Sequence, residues 1–224
     1  MNFDVMTIFP EMMNEVLSTS IIGRARKAGY IDIGVYNIRD YSTDKHRKTD
    51  EVPYGGGFGM VMTCQPIHDT FNAICEKRGK RPHVIYMSPQ GKVLTQKRAE
   101  ELSNMENICI LCGHYEGVDQ RILDLICDEE ISVGDYVLTG GELPCAILID
   151  CVSRLIDGVL PAKDVYEGDS ISCGLLEYPQ YTRPEVYEGI PVPEVLLSGH
   201  HKNIEKWKSE MSLEVTKKKR PDLL

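Results

Sequence analysis

Four short apolar segments, each followed by a stretch long enough for a helix, constrain this chain more than any other feature. They are Phe3–Phe9, Ile31–Ile38, His83–Met87 and Asn107–Cys112. Near-continuous apolar runs of this length, bounded by Gly or Pro, read as strands buried on both faces. Helical segments are expected at 11–28 (stopped by Gly29), 65–77, from Thr95 onward, at 118–127 and at 142–156. Pro144 falls in the first turn of the last of these, where proline is tolerated. Strand followed by helix followed by strand predicts an α/β layer around a mostly parallel sheet. Residues 39–63 are charged and Gly-rich and read as one long loop, a length more often tied to function than to packing.

Size and charge narrow the class. With 224 residues, 42% of them apolar, the chain can build a core. The longest apolar runs, 108–112 and 145–149, are far too short to cross a bilayer, so no membrane association is expected. The start, Met-Asn-Phe-Asp-Val, has neither the basic head nor the long apolar stretch of a secretion signal. Eight scattered cysteines then read as free thiols in a cytoplasmic protein. Cys109 and Cys112 form a C-x-x-C, but an odd spacing of three in a strand puts them on opposite faces, as core residues.

The net charge of −9 excludes binding to nucleic acid by bulk positive charge. The charge is unevenly spread. Residues 119–142 hold one Arg against seven acids, and residues 200–220 hold seven Lys or Arg against three Glu. The basic end, Lys217–Arg220, is either a local phosphate-binding patch or a solvated run. A helix is expected at 202–211.

Three glycine-bearing turns fall near strand ends: Ser88-Pro89-Gln90-Gly91, Gly113-His114-Tyr115-Glu116-Gly117, and the segment from Gly134 to Gly141. Ligands of open α/β sheets bind at the carboxyl ends of strands, where glycine lets backbone amides come close. Three such turns point to one shared small-molecule pocket. None has the pattern of a P-loop or a dinucleotide fingerprint. Tyr54–Met60 is a further glycine loop behind the basic cluster Lys45–Lys48, a pairing that fits nucleic-acid contact or an exposed charge run equally well. Asp169 and Arg154 stand out, yet composition does not separate a catalytic role from a linker acid and a helix-capping base.

The segments PYGGGFGM, YMSPQG, CGHYEG, VGDYVLTGGELP, SRLIDGVLP, YTRPEV and VLLSGHH, in this order, resemble the bacterial tRNA (guanine-N1)-methyltransferases of the SPOUT superfamily, from the N-terminus to Arg220-Pro221-Asp222-Leu223-Leu224. The resemblance implies a parallel α/β sheet with a deep trefoil knot and a small, mainly helical C-terminal domain, though knots run against the general rule for protein chains. It implies a knotted domain over 1–160, a linker over 161–175 and a tRNA-binding domain over 176–224. It implies S-adenosyl-L-methionine as methyl donor, tRNA as substrate, Mg²⁺ as a requirement with Glu116 as its helper, and a homodimer with active sites at the subunit interface. The product it implies is 1-methylguanosine just 3′ of the anticodon. Matched position by position, the donor site comprises Tyr86, Ser88, Pro89, Gly113, Tyr115, Glu116, Gly117, Val133, Gly134, Asp135, Tyr136, Val137, Leu138, Gly140, Gly141 and Pro144. Asp169 matches the general base and Arg154 its electrostatic partner, while Asp50 and Gly59 match positions near the target base. Two departures are plain: Phe58 stands where proline is expected, and His114 where arginine is more usual. A methyltransferase acting on another RNA base or ribose, and a non-catalytic RNA-binding protein, are the rival readings.

Overall fold

The computed structural model describes residues 1–161, 170–171 and 174–224. They fall into two compact units, Met1–Pro161 and Ala162–Leu224.

The first unit keeps the nine expected elements in their order, one of them split into two helices, and adds three short strands. In chain order it contains β1 (Asn2–Thr7), α1 (Pro10–Leu17), α2 (Ser20–Ala28), β2 (Asp32–Asn37), β3 (Asp50–Glu51), β4 (Val61–Met62), α3 (Cys64–Arg78), β5 (His83–Val93), α4 (Gln96–Ser103), β6 (Asn107–Cys112), α5 (Gln120–Ile126), β7 (Glu129–Ser132) and α6 (Glu142–Ser153). Five strands pair in the order β2-β1-β6-β5-β7, all parallel.

Strand β6 sits in the middle and is buried at every position. Its side chains alternate between two cores. Ile108, Ile110 and Cys112 join Leu17, Ala25, Leu102, Leu148 and Val152 on the face covered by α1, α2, α4 and α6. Cys109 and Leu111 join Ile67, Ile74, Ile122 and Ile126 on the face covered by α3 and α5. The two cysteines of the C-x-x-C therefore do face opposite ways, and burial pushes both thiols well above their usual range. All seven cysteines among the described residues are free.

Several boundaries differ from the sequence reading, each for a local reason. The helix expected over 11–28 is two helices. Gly23 packs so closely on the Ser18 carbonyl that a Cβ there would collide with it, and Ser20 takes a positive φ of 52° to make the turn. The strand expected at His83–Met87 runs on to Val93 through an irregularity in which Ile131 pairs with both Met87 and Lys92. Ser88–Gly91 is thus a bulge within β5 rather than a turn after it. Strand β7 was hidden by its charge, since Glu129 and Glu130 do not read as strand residues. Glu129 is held by His83 Nε2 at 2.7 Å and by Arg98. The long loop over 39–63 carries a short 3-10 turn, Ile38–Tyr41, and the two-residue antiparallel ribbon β3–β4. Helix α5 starts later than expected because the Asp119 carboxylate caps it, accepting the Arg121 N–H at 3.0 Å. Helix α6 ends at Ser153 rather than 156.

The second unit contains a hairpin (Val186–Tyr187 with Ile190–Pro191), a short helix (Glu194–Leu197) and a helix over His201–Lys219, longer than the 202–211 expected. Buried Thr216 ties this helix to the preceding chain. Its hydroxyl donates to Ser212 O at 2.7 Å and accepts the Leu176 N–H at 2.8 Å. Trp207 meets Tyr178 and Tyr181 at ring-centre distances of 6.3 and 6.4 Å.

One polar pair is built into the sheet. Asp4, fully buried on β1, accepts two hydrogen bonds from the Arg78 guanidinium at the end of α3, both 2.8 Å, and Arg78 Nη1 also reaches Asp32 at 2.8 Å. Truncating one partner strands the other charge, a loss of about 3–5 kcal/mol. Arg78→Met is therefore expected to lower the urea-unfolding free energy by about 3 kcal/mol, and Arg78→Met combined with Asp4→Leu to lower it by clearly less. An equal or larger loss in the double variant would mean the pair itself, not the stranded carboxylate, carries the stability.

Candidate active site

The bulge of β5 and the carboxyl ends of β6 and β7 open into a cavity of about 310 Å³. Tyr86, Ser88 and Pro89 line it from β5, and Gly113, Tyr115, Glu116 and Gly117 from the segment after β6. Val133, Gly134, Tyr136, Val137, Leu138, Gly140 and Gly141 line it from the segment after β7, and Pro144 from α6. The three glycine-bearing segments thus surround one space. Asp135 is the one residue matched to the donor site that does not line it.

Other lining residues were not singled out from the sequence. Ile131 and Ser132 belong to the unrecognised strand β7, while Gln120 and Leu123 share one face of α5 at the i, i+3 spacing. Met87, Gln90, Val118 and Thr139 adjoin residues already matched, Glu130 lies on β7 beside Ile131, and His114 lies within a matched motif. The sharpest missed signal was the i, i+3 pair on α5.

Close backbone approach shapes the cavity. The Gly141 N–H donates to Gly113 O at 2.8 Å, and a Cβ on Gly141 would lie 2.8 Å from the Cys112 Cα. A Cβ on Gly113 would lie 2.7 Å from the Tyr86 hydroxyl. Between them Tyr115 holds a positive φ of 59°, its hydroxyl accepting from Arg39 at 3.4 Å. Burial, with a smaller contribution from the nearby Glu130 charge, pushes the Tyr86 phenol up to about 12, so it stays protonated at neutral pH and is no base.

A buried polar link fastens the start of α6. Glu142 accepts the Thr7 hydroxyl at 2.7 Å across 135 residues of sequence, and its other oxygen lies 3.8 Å from His114 Nδ1. The His114 ring is held edge-on by Phe9 and Tyr115, at 4.9 and 5.1 Å.

The glycine loop joins the rim. Met60 O accepts the Glu116 N–H at 3.0 Å, and Met62 is bonded to Gly117 O and to the Asp119 N–H at 2.9 and 3.0 Å. Gly59 has φ of 86°, and a Cβ there would run into the Glu116 carboxylate. Asp50 sits farther back, on β3 opposite Met62. The structure therefore brings Gly59 to the cavity edge and leaves Asp50 at the base of the loop.

Arg154 is elsewhere. It caps the far end of α6, thirteen residues after Gly141, which at 1.5 Å per residue is about 20 Å along the helix. It is not among the cavity-lining residues. Asp169 lies outside the described residues. Among the described residues no group of three or more His, Cys, Asp or Glu side chains is placed to hold a metal ion. No helix among the described residues is long and apolar enough to cross a membrane.

A sequence model of the family tRNA (Guanine-1)-methyltransferase TrmD matches residues 1–224. A tRNA (guanine-N(1)-)-methyltransferase of Ruminiclostridium cellulolyticum is 62% identical over 223 residues, covering 100% of this chain and 96% of the relative. Proteins of the same name from Lachnospira eligens and Clostridioides difficile are 58% and 54% identical, each covering 100% of this chain and 94% and 97% of the relative. Matched by the family over its whole length and sharing more than half its residues with these relatives, the chain belongs to the tRNA (guanine-1)-methyltransferase TrmD family and is a methyltransferase.

Proposed function

We propose that the protein transfers a methyl group from S-adenosyl-L-methionine to N1 of the guanosine immediately 3′ of the tRNA anticodon, as a cytoplasmic homodimer. The observation that carries this reading is the single cavity formed where three glycine-bearing segments meet at the carboxyl end of a parallel sheet. Its volume is at the lower end of the range for small-molecule sites. Its walls are backbone-rich, which suits a ligand held by amides and carbonyls rather than by charged side chains.

A knotted path is part of the reading. Strand β7 lies at the sheet edge beyond β5, yet the chain returns from it to pack Gly141 on the end of β6. The segment 133–141 therefore passes the β5 irregularity at Ser88–Gly91 on its way back to β6. A return of this kind supports a SPOUT-type knot.

The reaction needs more than the cavity. Guanine N1 carries a proton at neutral pH and must lose it to become a nucleophile. S-adenosyl-L-methionine, when bound, supplies an electrophilic methyl group on a sulfonium. Asp169, in the proposed linker over 161–175, takes the N1 proton, a role typically worth ~10²–10⁴-fold in rate. Arg154 stabilises the negative charge that develops on guanine O6.

The distance of Arg154 from its own cavity supports the dimer. Leu143, Ile147, Asp150 and Arg154 follow one another along one face of α6, and Leu143 and Ile147 are exposed. Met12 and Val16 form a similar exposed pair on α1, which packs on α6. A second copy covering this apolar face would bury it and bring Arg154 into the interface. The C-terminal domain over 176–224 contributes the exposed Lys217–Lys219 at the end of its long helix as a site for tRNA phosphate.

The direct test is incubation with labelled S-adenosyl-L-methionine and unmodified tRNA, followed by nucleoside mapping. Label is expected in 1-methylguanosine at the position 3′ of the anticodon, and none in tRNA lacking guanosine there. Asp169→Asn is expected to lower single-turnover methyl transfer by at least about 10²-fold, in line with the usual contribution of a general base. Donor affinity, read by calorimetry, should change little. Arg154→Ala should reduce kcat more than it raises the tRNA KM, and a change confined to KM would assign it to binding. Leu143→Asp with Ile147→Asp, on an exposed face, is expected to give an inactive but folded monomer in analytical ultracentrifugation. A fully active monomer would remove the shared-site reading.

A further inference from the structure

Two aromatic side chains stand in solvent on the glycine loop at the edge of the cavity. Phe58 is 98% exposed and Tyr54 100% exposed, a level at which large apolar rings gain nothing from the fold. Gly55, Gly56, Gly57 and Gly59 around them all take positive φ, and a Cβ at the first three would meet no atom within 4 Å. The loop thus projects from the surface, while its foot is fixed by the Met60–Glu116 backbone bond and by the Met62 bonds to Gly117 and Asp119. The next residue, Gly59, rests against the Glu116 carboxylate on the cavity rim. Phe58 is therefore one residue away from the cavity rim.

The loop's entering strand is preceded by Lys45, Arg47 and Lys48, all exposed. Arg47 is paired with Asp40 at 3.0 Å and Lys48 lies 3.9 Å from Glu51. The result is a positive but partly compensated cluster just ahead, along the chain, of the loop that carries the two bare rings. Aromatic faces beside positive charge match unstacked nucleobases and their phosphates, whereas a protein partner or a lipid surface would be met by a continuous apolar patch.

We propose that Phe58, assisted by Tyr54, stacks on an unpaired base next to the target guanosine and holds the anticodon loop over the cavity. The proposal deepens the tRNA-methyltransferase reading and rests on it. Phe58 acts as a binding residue: a stacked neighbour adds affinity for the anticodon loop, and the proline that the family resemblance leads one to expect there has no aromatic face.

Phe58→Ala is expected to raise the tRNA KM about tenfold, the effect of losing one stacked base, with kcat and donor affinity little changed. Phe58→Trp or Phe58→Tyr should restore the wild-type KM, and Phe58→Pro should behave as alanine does. The deciding measurement uses anticodon stem-loop RNAs with an abasic nucleotide on either side of the target guanosine. Removing the stacked base should cost the wild-type enzyme the same factor and leave Phe58→Ala no worse. An unchanged KM for Phe58→Ala, or losses that multiply at both abasic positions, would overturn the proposal while wild-type methylation stands. Failure of the wild-type enzyme to methylate unmodified tRNA would overturn the underlying reading and this one with it.

Discussion

The site depends on how closely two backbone segments approach at Gly113 and Gly141. With a 2.8 Å hydrogen bond between them and no room for a Cβ on either, the chain returning from β7 presses directly on the end of β6. A side chain on Gly141 would push the returning chain off the end of β6, and one on Gly113 would displace the Tyr86 ring from the cavity wall. Close backbone contact of this kind is available only to glycine, which is why the lining is rich in it. Glu142, the first residue of α6, is then held under the sheet by the Thr7 hydroxyl, so the helix that closes the cavity is fastened to the first strand.

That arrangement rests on a sheet with two apolar faces. Strand β6 sends alternate side chains into separate cores, and its neighbours β1 and β5 do the same with Val5 and Met6, Ile85 and Tyr86. Each fully buried aliphatic side chain contributes about 1.5–3 kcal/mol relative to exposure. Rigid support from both sides lets the strand ends serve as fixed walls. The loops beyond them carry the polar and exposed residues, among them Tyr136, Val137 and Leu138.

The acidic region 119–142 has a largely structural explanation. Asp119 caps α5 and pairs with Arg121, Asp128 pairs with Arg81 at 2.7 Å, Glu129 is held by His83 and Arg98, and Glu142 takes Thr7. Hydrogen bonding to Arg121 holds the Asp119 carboxyl well below the usual range, and Asp128 and Glu129, although burial opposes it, are also held low by Arg81 and His83. These acids are engaged with partners rather than forming a free acidic face. The overall charge of −9 is thus compatible with a chain whose exposed lysines include Lys45, Lys48 and Lys217–Lys219.

By itself the sequence determined the elements with strong periodicity: β1, β2 and β6 within a residue or two, α3, the start of α6, and the parallel α/β class. It also marked the three glycine segments, because strand ends and glycine are local signals. It hid β7 behind two glutamates, of which Glu129 finds its partners, His83 and Arg98, in distant segments. It read the Ser88–Gly91 bulge as a turn, because register is a property of paired strands. Tertiary structure alone decided that Gly59 meets Glu116, that Thr7 meets Glu142, and that Arg154 lies at the opposite end of α6 from the cavity. Those facts depend on which segments the fold brings together, and residue type and spacing along one chain carry no record of distance across a sheet.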